Sequence, residues 1–140
     1  MAKTKVLIDT GPLLALLSKR DQYHRWAKQQ AAHLEWPFYT CEAVISEVTH
    51  LLERMPVSHL SIIHMLERGL VEVSFSYAKH AERIHDLMST YADQPMSFAD
   101  ACLVQMAEHR ADPAIFTTDS DFQVYRGADG NPLNVRMPNA

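Results

Sequence analysis

The sequence predicts an α/β protein, in which helices pack on both faces of a central, mostly parallel sheet of about four to five strands. Short apolar segments alternate along the chain with longer segments whose apolar residues recur at helical spacing. The first apolar segment, residues 6–9 (VLID), has no polar alternation, as is typical of a strand buried on both faces. Strands separated by helices pair in parallel through right-handed crossovers, so these observations indicate an α/β/α sandwich.

Start and stop signals delimit the elements of the first half of the chain. The predicted elements are a buried strand, a short helix, a second helix, a brief strand and a long helix, at residues 6–9, 13–17, 22–35, 38–40 and 40–55. Gly11 and Pro12 turn the first strand into the first helix, and Asp21 caps the second helix. Pro56 stops the long helix, because proline removes a backbone donor and clashes with the preceding turn.

The second half of the chain continues the alternation of helices and strands. The predicted elements are a helix, a strand, two further helices, a strand, a short helical turn and an edge strand, at residues 58–68, 70–73, 76–91, 97–110, 114–118, 119–125 and 133–135. Ser58 starts the first of these helices and Gly69 closes it. No internal repeat, low-complexity segment or linker interrupts the order, so residues 1–140 are predicted to form one domain.

The composition is that of an ordinary globular protein, with 47% apolar and 21% charged residues. The apolar runs are too short to span a bilayer and the amino terminus lacks the pattern of a signal peptide, so we expect a cytoplasmic protein. Cys41 and Cys102 lack the spacing of a metal site, and the eight histidines show no HExxH pattern. The formal net charge of -4 argues against coating of nucleic acid by bulk charge. It leaves a nuclease open, because carboxylates that hold metal ions count as negative.

Four acidic residues are predicted to converge on the edge of the sheet at which the parallel strands end. Asp9 ends the first strand and Asp119 directly follows residues 114–118, and ligands of open parallel sheets bind beyond such strand ends. Asp100 lies in the first turn of an otherwise apolar helix. Glu47 lies within an apolar stripe of the long helix, and helical side chains lean back toward the helix start.

Each acid taken singly also has a structural explanation. Ser97 and Asp100 have the spacing of a capping box, acidic residues are common in first helical turns, and an aspartate such as Asp9 stabilises turns. Glu47 is the exception, because a carboxylate on a core-facing stripe is costly unless a cation meets it. The residues of that stripe are Val44, Val48, Leu51 and Met55.

Taken together, the four acids predict a site for a divalent cation. Carboxylates gathered without arginine partners repel one another and raise their own pKa values. Bound divalent cations relieve this repulsion, and sites made only of oxygen ligands suit Mg²⁺ or Mn²⁺. Ions held in this way activate water and stabilise the leaving oxygen of a phosphodiester. We therefore expect hydrolysis that leaves a 5′-phosphate and a 3′-hydroxyl.

Four segments of the chain, in this order, resemble the successive motifs of the PIN domain. They are LIDTGPLLALL, the glutamate of VISEV, MSFADACLV and FTTDSDF. Within that family the sequence is most similar to the VapC-type ribonuclease toxins of toxin–antitoxin systems. The resemblance implies a PIN-like α/β/α sandwich and a Mg²⁺- or Mn²⁺-dependent endoribonuclease, with metal-site acids at Asp9, Glu47, Asp100 and Asp119.

The resemblance also implies supporting residues and partners. Thr10 and Thr117 match small hydroxyl residues of the family motifs, and Asp121 matches an additional acid. Asp93 also resembles a family residue, but we interpret it as a loop or cap residue. The implied partners are an RNA substrate, a second copy of the chain in a homodimer, and a cognate antitoxin that lies across the first two helices and the cleft. No association with a membrane is expected.

A basic segment follows the first helix and is the best local candidate for contacts with RNA. Its cations, interleaved with Tyr23 and Trp26, are Lys19, Arg20, Arg25 and Lys28. This pattern fits phosphate contacts and base stacking. The alternative is a solvated helix face with Trp26 packed inward. Arg126 either touches the substrate or caps the short helical turn.

Three other functions stay open on the sequence alone. A housekeeping nuclease of the same fold would process RNA, and a non-catalytic PIN module would bind RNA or a protein without cutting. A missing acid would favour the module, and none is missing. An aspartyl-phosphate phosphatase also uses an aspartate at a strand end, but Gly11 lies where that chemistry usually has a second aspartate. A small adjacent gene for a DNA-binding protein would favour the toxin.

Overall fold

A computed structural model describes residues 5–139 of the chain, and in this range five strands form one parallel sheet. The strands are β1 (Val6–Ile8), β2 (Phe38–Thr40), β3 (Val71–Val73), β4 (Ala114–Phe116) and β5 (Asn134–Arg136). Their order across the sheet is β3-β2-β1-β4-β5, and every neighbouring pair is parallel. The predicted parallel sheet of four to five strands is confirmed.

Six α-helices connect these strands within the described residues. They are α1 (Thr10–Leu17), α2 (His24–His33), α3 (Glu42–Leu52), α4 (Leu60–Glu67), α5 (Ala81–Thr90) and α6 (Phe98–Glu108). The chain moves from β1 through β2 to β3 in one direction and then crosses back to β4. Right-handed crossovers therefore put α1 to α4 on one face of the sheet and α5 and α6 on the other. This is the predicted α/β/α sandwich.

Strand β1 lies at the centre of the sheet and of the core. Its three residues are buried, and the aromatic rings of Phe38 on β2 and Phe116 on β4 pack 5.7 Å apart beside it. From β1 the chain leaves toward β2, whereas β4 pairs with the opposite side of β1. The connections after β1 and β4 thus diverge to opposite faces, and the crevice between them is the usual ligand-binding position of an open parallel sheet.

Hydrogen bonds explain two of the helix boundaries that differ from the prediction. Helix α1 begins at Thr10 rather than at residue 13, because the Asp9 carboxylate accepts from the Thr10 backbone N–H and caps the helix directly after β1. The predicted helix at residues 76–91 is divided into a 3₁₀ turn at Tyr77–Lys79 and α5. The backbone N–H of His80 donates to the Tyr77 carbonyl and closes that turn.

The predicted start of the long helix at Thr40 is also wrong. Thr40 is the last residue of β2, and its hydroxyl donates to the Ile8 carbonyl at 2.8 Å. Cys41 is the N-cap of α3 instead.

Within residues 5–139, no helix combines the length and the apolar character needed to cross a membrane.

Candidate active site

Three of the four predicted acids meet at the crevice between β1 and β4. Asp9 follows β1, Asp119 follows β4 and caps a 3₁₀ turn, and Asp100 lies in the first turn of α6. Each contributes one carboxylate oxygen to a group in which all three oxygens lie within 4.8 Å of one another. Asp100 reaches this edge because a helix that precedes a parallel strand runs opposite to it, so α6 starts where the strands end.

Thr117 connects two of these acids. Its buried hydroxyl donates to Oδ2 of Asp9 at 2.8 Å and accepts from the backbone N–H of Asp119 at 2.9 Å. Oδ1 of Asp9 accepts from the Thr10 backbone N–H at 2.8 Å. Both oxygens of Asp9 are therefore held by hydrogen bonds, and one threonine fixes the separation of the acids after β1 and β4.

Asp100 is fixed by a capping box and by Tyr125, which is not among the predicted site residues. Its backbone N–H donates to Oγ of Ser97 at 3.0 Å, and its Oδ2 accepts from the Ser97 backbone N–H at 3.2 Å. The same Oδ2 accepts from the hydroxyl of Tyr125 at 2.9 Å. Tyr125 is fully buried. An aromatic residue at the end of the predicted turn indicates a buried ring, but no local pattern identifies the partner of its hydroxyl.

Gly11 allows the loops that carry Asp9 and Asp119 to approach each other closely. A Cβ atom at Gly11 would lie 2.0 Å from Oγ1 of Thr118, far inside van der Waals contact. The glycine predicted to turn the first strand into a helix therefore has a second role in packing. It permits α1 to begin against the segment that follows β4.

Two predicted supporting residues flank the three aspartates. Thr10 is buried, and within the described part of the chain its hydroxyl has no hydrogen-bond partner. Asp121 is partly exposed, and its backbone N–H donates to Oδ1 of Asp119 at 2.9 Å. Desolvation and the nearby Asp119 charge raise the pKa of the Asp121 carboxyl. Whether either residue contributes to a reaction stays a prediction.

Glu47 is exposed on α3 and is not part of the group of closely spaced carboxylate oxygens. The prediction that it faces the core is wrong. The fully buried stripe of α3 is Val44, Val48 and Leu52. Glu47 precedes Val48 by one residue and is therefore turned by about 100° from that stripe. Its role as a metal ligand stays a prediction, now for an exposed carboxylate.

Burial dominates the electrostatics of the aspartate group. It raises the pKa of Asp9 from 3.8 to about 7, against the hydrogen bonds from Thr10 and Thr117, and the charges of Asp100 and Asp119 raise it further. Burial also raises the pKa of Asp100, and the hydrogen bond from Tyr125 opposes that increase. Within residues 5–139, no lysine or arginine forms an ion pair with any of the three aspartates. A donor set made only of carboxylate oxygens, without a competing cation, fits a hard divalent ion.

The predicted RNA-contacting cations are all solvent-exposed. They are Lys19 and Arg20, which follow α1, and Arg25 and Lys28 on α2. Trp26 packs inward, with its ring 5.4 Å from that of Phe116 and 6.4 Å from that of Tyr23. Its indole is therefore part of the core packing, as the alternative interpretation of this segment predicts.

The structure also gives positions for Arg126 and Asp93. The Arg126 guanidinium donates to the backbone carbonyls of residues 123, 124 and 125, so it caps the 3₁₀ turn at Ser120–Gln123. Asp93 is exposed in the turn between α5 and α6, in agreement with its interpretation as a loop residue. Cys41 and Cys102 are buried free thiols.

The fold and the site together define a parallel α/β protein with a three-carboxylate group at the switch point of its sheet. The family model of the PIN domain matches residues 6–128, so the chain belongs to the PIN domain family. The crystal structure of VapC20 from Mycobacterium tuberculosis, a sarcin-ricin loop cleaving toxin, is similar to it with a TM-score of 0.77. The two sequences are 21% identical, and the match covers 86% of this chain and 94% of that chain. No curated protein matches the sequence.

Proposed function

We propose that this protein is a divalent-metal-dependent endoribonuclease and the toxin component of a toxin–antitoxin pair. The observation that carries the proposal is the convergence of Asp9, Asp100 and Asp119 at the crevice between β1 and β4. Membership of the PIN domain family supports a nuclease, and the likeness of the fold to VapC20 supports a toxin that acts on RNA. A non-catalytic module is disfavoured, because gathering three unpaired carboxylates, two of them buried, is costly without a ligand.

In this proposal the three aspartates hold Mg²⁺ or Mn²⁺, and Glu47, an exposed carboxylate on α3, is a fourth ligand. A bound cation supplies Lewis-acid chemistry, polarising the phosphodiester and lowering the pKa of water. Thr117 keeps Asp9 and Asp119 at a fixed separation through its two hydrogen bonds. Hydrolysis adds the oxygen of water to phosphorus and breaks the bond to the 3′ oxygen, which takes up a proton. The products are a 5′-phosphate and a 3′-hydroxyl.

The basic segment is the proposed track for the RNA backbone. The four cations at Lys19, Arg20, Arg25 and Lys28 are exposed, and Asp21 is the one acidic residue between the first and the last of them. A local excess of positive charge in a chain of net charge -4 favours contact with phosphates at this surface. Because Trp26 is packed against Phe116, we assign the segment phosphate contacts and not base stacking.

Two protein partners belong to the proposal. A cognate antitoxin would lie across α1, α2 and the crevice, and a second copy of the chain would form a homodimer. Exposed apolar side chains support protein contacts, and on the α5 and α6 side they include Tyr77, Met88 and Phe98. The likeness to a toxin of known fold is the observation that favours an antitoxin over a housekeeping role.

The metal requirement is the direct test of the proposed function. Purified protein is expected to cleave RNA with Mg²⁺ or Mn²⁺ and to stop in excess EDTA, because the three aspartates then lack the ion that neutralises them. The measurement is gel-resolved cleavage of an end-labelled RNA, followed by chemical identification of the new termini. Asp100→Asn protein purified in parallel controls for a contaminating ribonuclease. Full cleavage in EDTA, or products that end in 2′,3′-cyclic phosphates, would contradict this mechanism.

Glu47 is the one predicted ligand that lies outside the three-carboxylate group, and it has its own test. If Glu47 is a ligand, Glu47→Gln lowers metal affinity and activity, because a neutral amide oxygen is a poorer ligand for a hard cation. We expect Glu47→Leu to be nearly inactive at every Mn²⁺ concentration. The measurement is single-turnover cleavage against Mn²⁺ concentration, with Glu42→Leu, an exposed glutamate of the same helix, as the matched control. Overlapping curves for Glu47→Leu and the parent protein would remove Glu47 from the site.

A further inference from the structure

The Asp100 carboxylate is held asymmetrically. Its Oδ2 accepts two hydrogen bonds, from the Ser97 backbone N–H at 3.2 Å and from the Tyr125 hydroxyl at 2.9 Å. Its Oδ1 accepts none from the residues that the structure describes. A carboxylate with one oxygen bound twice has little freedom to rotate, and its second oxygen keeps its lone pairs for another ligand.

Tyr125 is itself rigidly placed. The residue is fully buried, and its ring packs edge-on against those of Tyr91 at 5.1 Å and Phe122 at 5.3 Å. The Tyr91 hydroxyl accepts from the Arg126 backbone N–H at 2.8 Å, which ties the next residue of the chain to α5 and its following turn. The direction of the Tyr125 hydroxyl is thus set by the packing of its ring against those of Tyr91 and Phe122, and not by the carboxylate alone.

The structure assigns Tyr125 as a positioning residue that orients Asp100 toward the shared aspartate group. This inference rests on the proposed function, in which Asp9, Asp100 and Asp119 hold a divalent cation. Hydrogen-bond partners behind a metal ligand fix its orientation, and their loss costs about 10- to 100-fold in metal affinity or activity. Tyr125 is 25 residues from Asp100 in the chain, so the 3₁₀ turn after β4 and the start of α6 must both be in place for the site to form.

A purely structural role for the hydroxyl makes a different prediction. A buried carboxylate needs hydrogen bonds in any folded protein, and Tyr125 satisfies one of them. If that were its whole contribution, removing the hydroxyl would lower thermal stability and leave the affinity for metal unchanged. Metal affinity and thermal stability therefore separate the two roles.

Tyr125→Phe is the test variant, since phenylalanine keeps the buried ring and its contacts with Tyr91 and Phe122. Mn²⁺ affinity is measured from the electron paramagnetic resonance signal of free Mn²⁺, and melting temperature and RNA binding are measured in EDTA. The dissociation constant for Mn²⁺ is expected to rise about tenfold. The melting temperature is expected to stay within about 5 °C of the parent protein, and RNA binding in EDTA to be unchanged. Tyr91→Phe removes a neighbouring hydroxyl that does not contact an aspartate and is the matched control, with less than about a twofold change in Mn²⁺ affinity.

The parent protein is measured first, so that two failures are distinguishable. A parent that binds no Mn²⁺ and cuts no RNA overturns the proposed function, and this inference with it. A parent that does both, combined with an unchanged Mn²⁺ affinity in Tyr125→Phe, overturns the positioning role alone. Equal weakening in Tyr125→Phe and Tyr91→Phe also overturns it, because the effect would then come from the packing of this region.

Discussion

Asp100→Asn is expected to lower single-turnover RNA cleavage by more than about 100-fold while the fold is retained. Loss of a partner behind a metal ligand already costs about 10- to 100-fold, and this change removes the charge of a proposed ligand itself. The substitution removes a charge and little volume, and the Ser97 backbone and the Tyr125 hydroxyl still meet a side-chain oxygen. The measurement is single-turnover cleavage at saturating Mn²⁺, with circular dichroism as the check on folding.

Asp93→Asn is the matched control for this variant. Asp93 is exposed in the turn before α6 and is not part of the three-carboxylate group. The same loss of one negative charge at Asp93 is expected to leave cleavage within about twofold of the parent protein, because an exposed charge is screened by water and salt. Near-normal turnover of Asp100→Asn with an unchanged dependence on Mn²⁺ would remove Asp100 from the site.

Asp9→Asn is expected to raise the melting temperature of the metal-free protein at pH 8 by about 5 to 10 °C. Burial raises the pKa of Asp9 from 3.8 to about 7, so the folded protein disfavours its charged form. The difference between those values corresponds to, at most, on the order of 4 kcal/mol of unfolding free energy. The introduced amide removes this penalty, and it also reduces the repulsion on Asp100 and Asp119.

The pH dependence of the Asp9 contribution to stability determines the direction of this change in melting temperature. A group whose pKa is raised on folding contributes stability below its unfolded pKa of 3.8, and this contribution is lost as pH rises through about 7. The melting temperatures of Asp9→Asn and the parent protein in EDTA should therefore converge near pH 4 and diverge toward pH 8. Added Mn²⁺ should raise the melting temperature of the parent protein and have little effect on Asp9→Asn. A difference that is constant from pH 4 to pH 8 would contradict the assignment.

The fold and most of the acid group follow from patterns that are local in sequence. Asp9 and Asp119 are predictable because each lies just beyond an apolar strand, and parallel strands end at the same edge of the sheet. Asp100 is predictable because the helix that leads into β4 must start at that edge. Each of these three positions follows from which end of a strand or helix the aspartate lies at. The fine rotation of that element about its own axis is not needed to predict it.

The exposure of Glu47 depends on the rotation of α3, and the role of Tyr125 depends on a contact between distant parts of the chain. Sequence patterns resolve neither of these. The apolar stripe of α3 has two continuations after Val48, through Leu51 or through Leu52, and the structure buries Leu52 fully. That choice rotates the helix enough to expose Glu47. The contact of Tyr125 with Asp100 joins residues of two elements whose packing is set by the whole core. A hydrogen bond between residues that are this far apart in the chain leaves no periodic pattern in the sequence.

Binding of a divalent cation by the three aspartates can be seen by anomalous X-ray scattering from Mn²⁺-soaked crystals of the parent protein and of Asp100→Asn. We expect a Mn²⁺ peak among the carboxylates of Asp9, Asp100 and Asp119 in the parent protein, and its loss or strong reduction in the variant. The absence of that peak at Mn²⁺ concentrations that support cleavage, or an equal peak in both crystals, would contradict a metal site at these three aspartates.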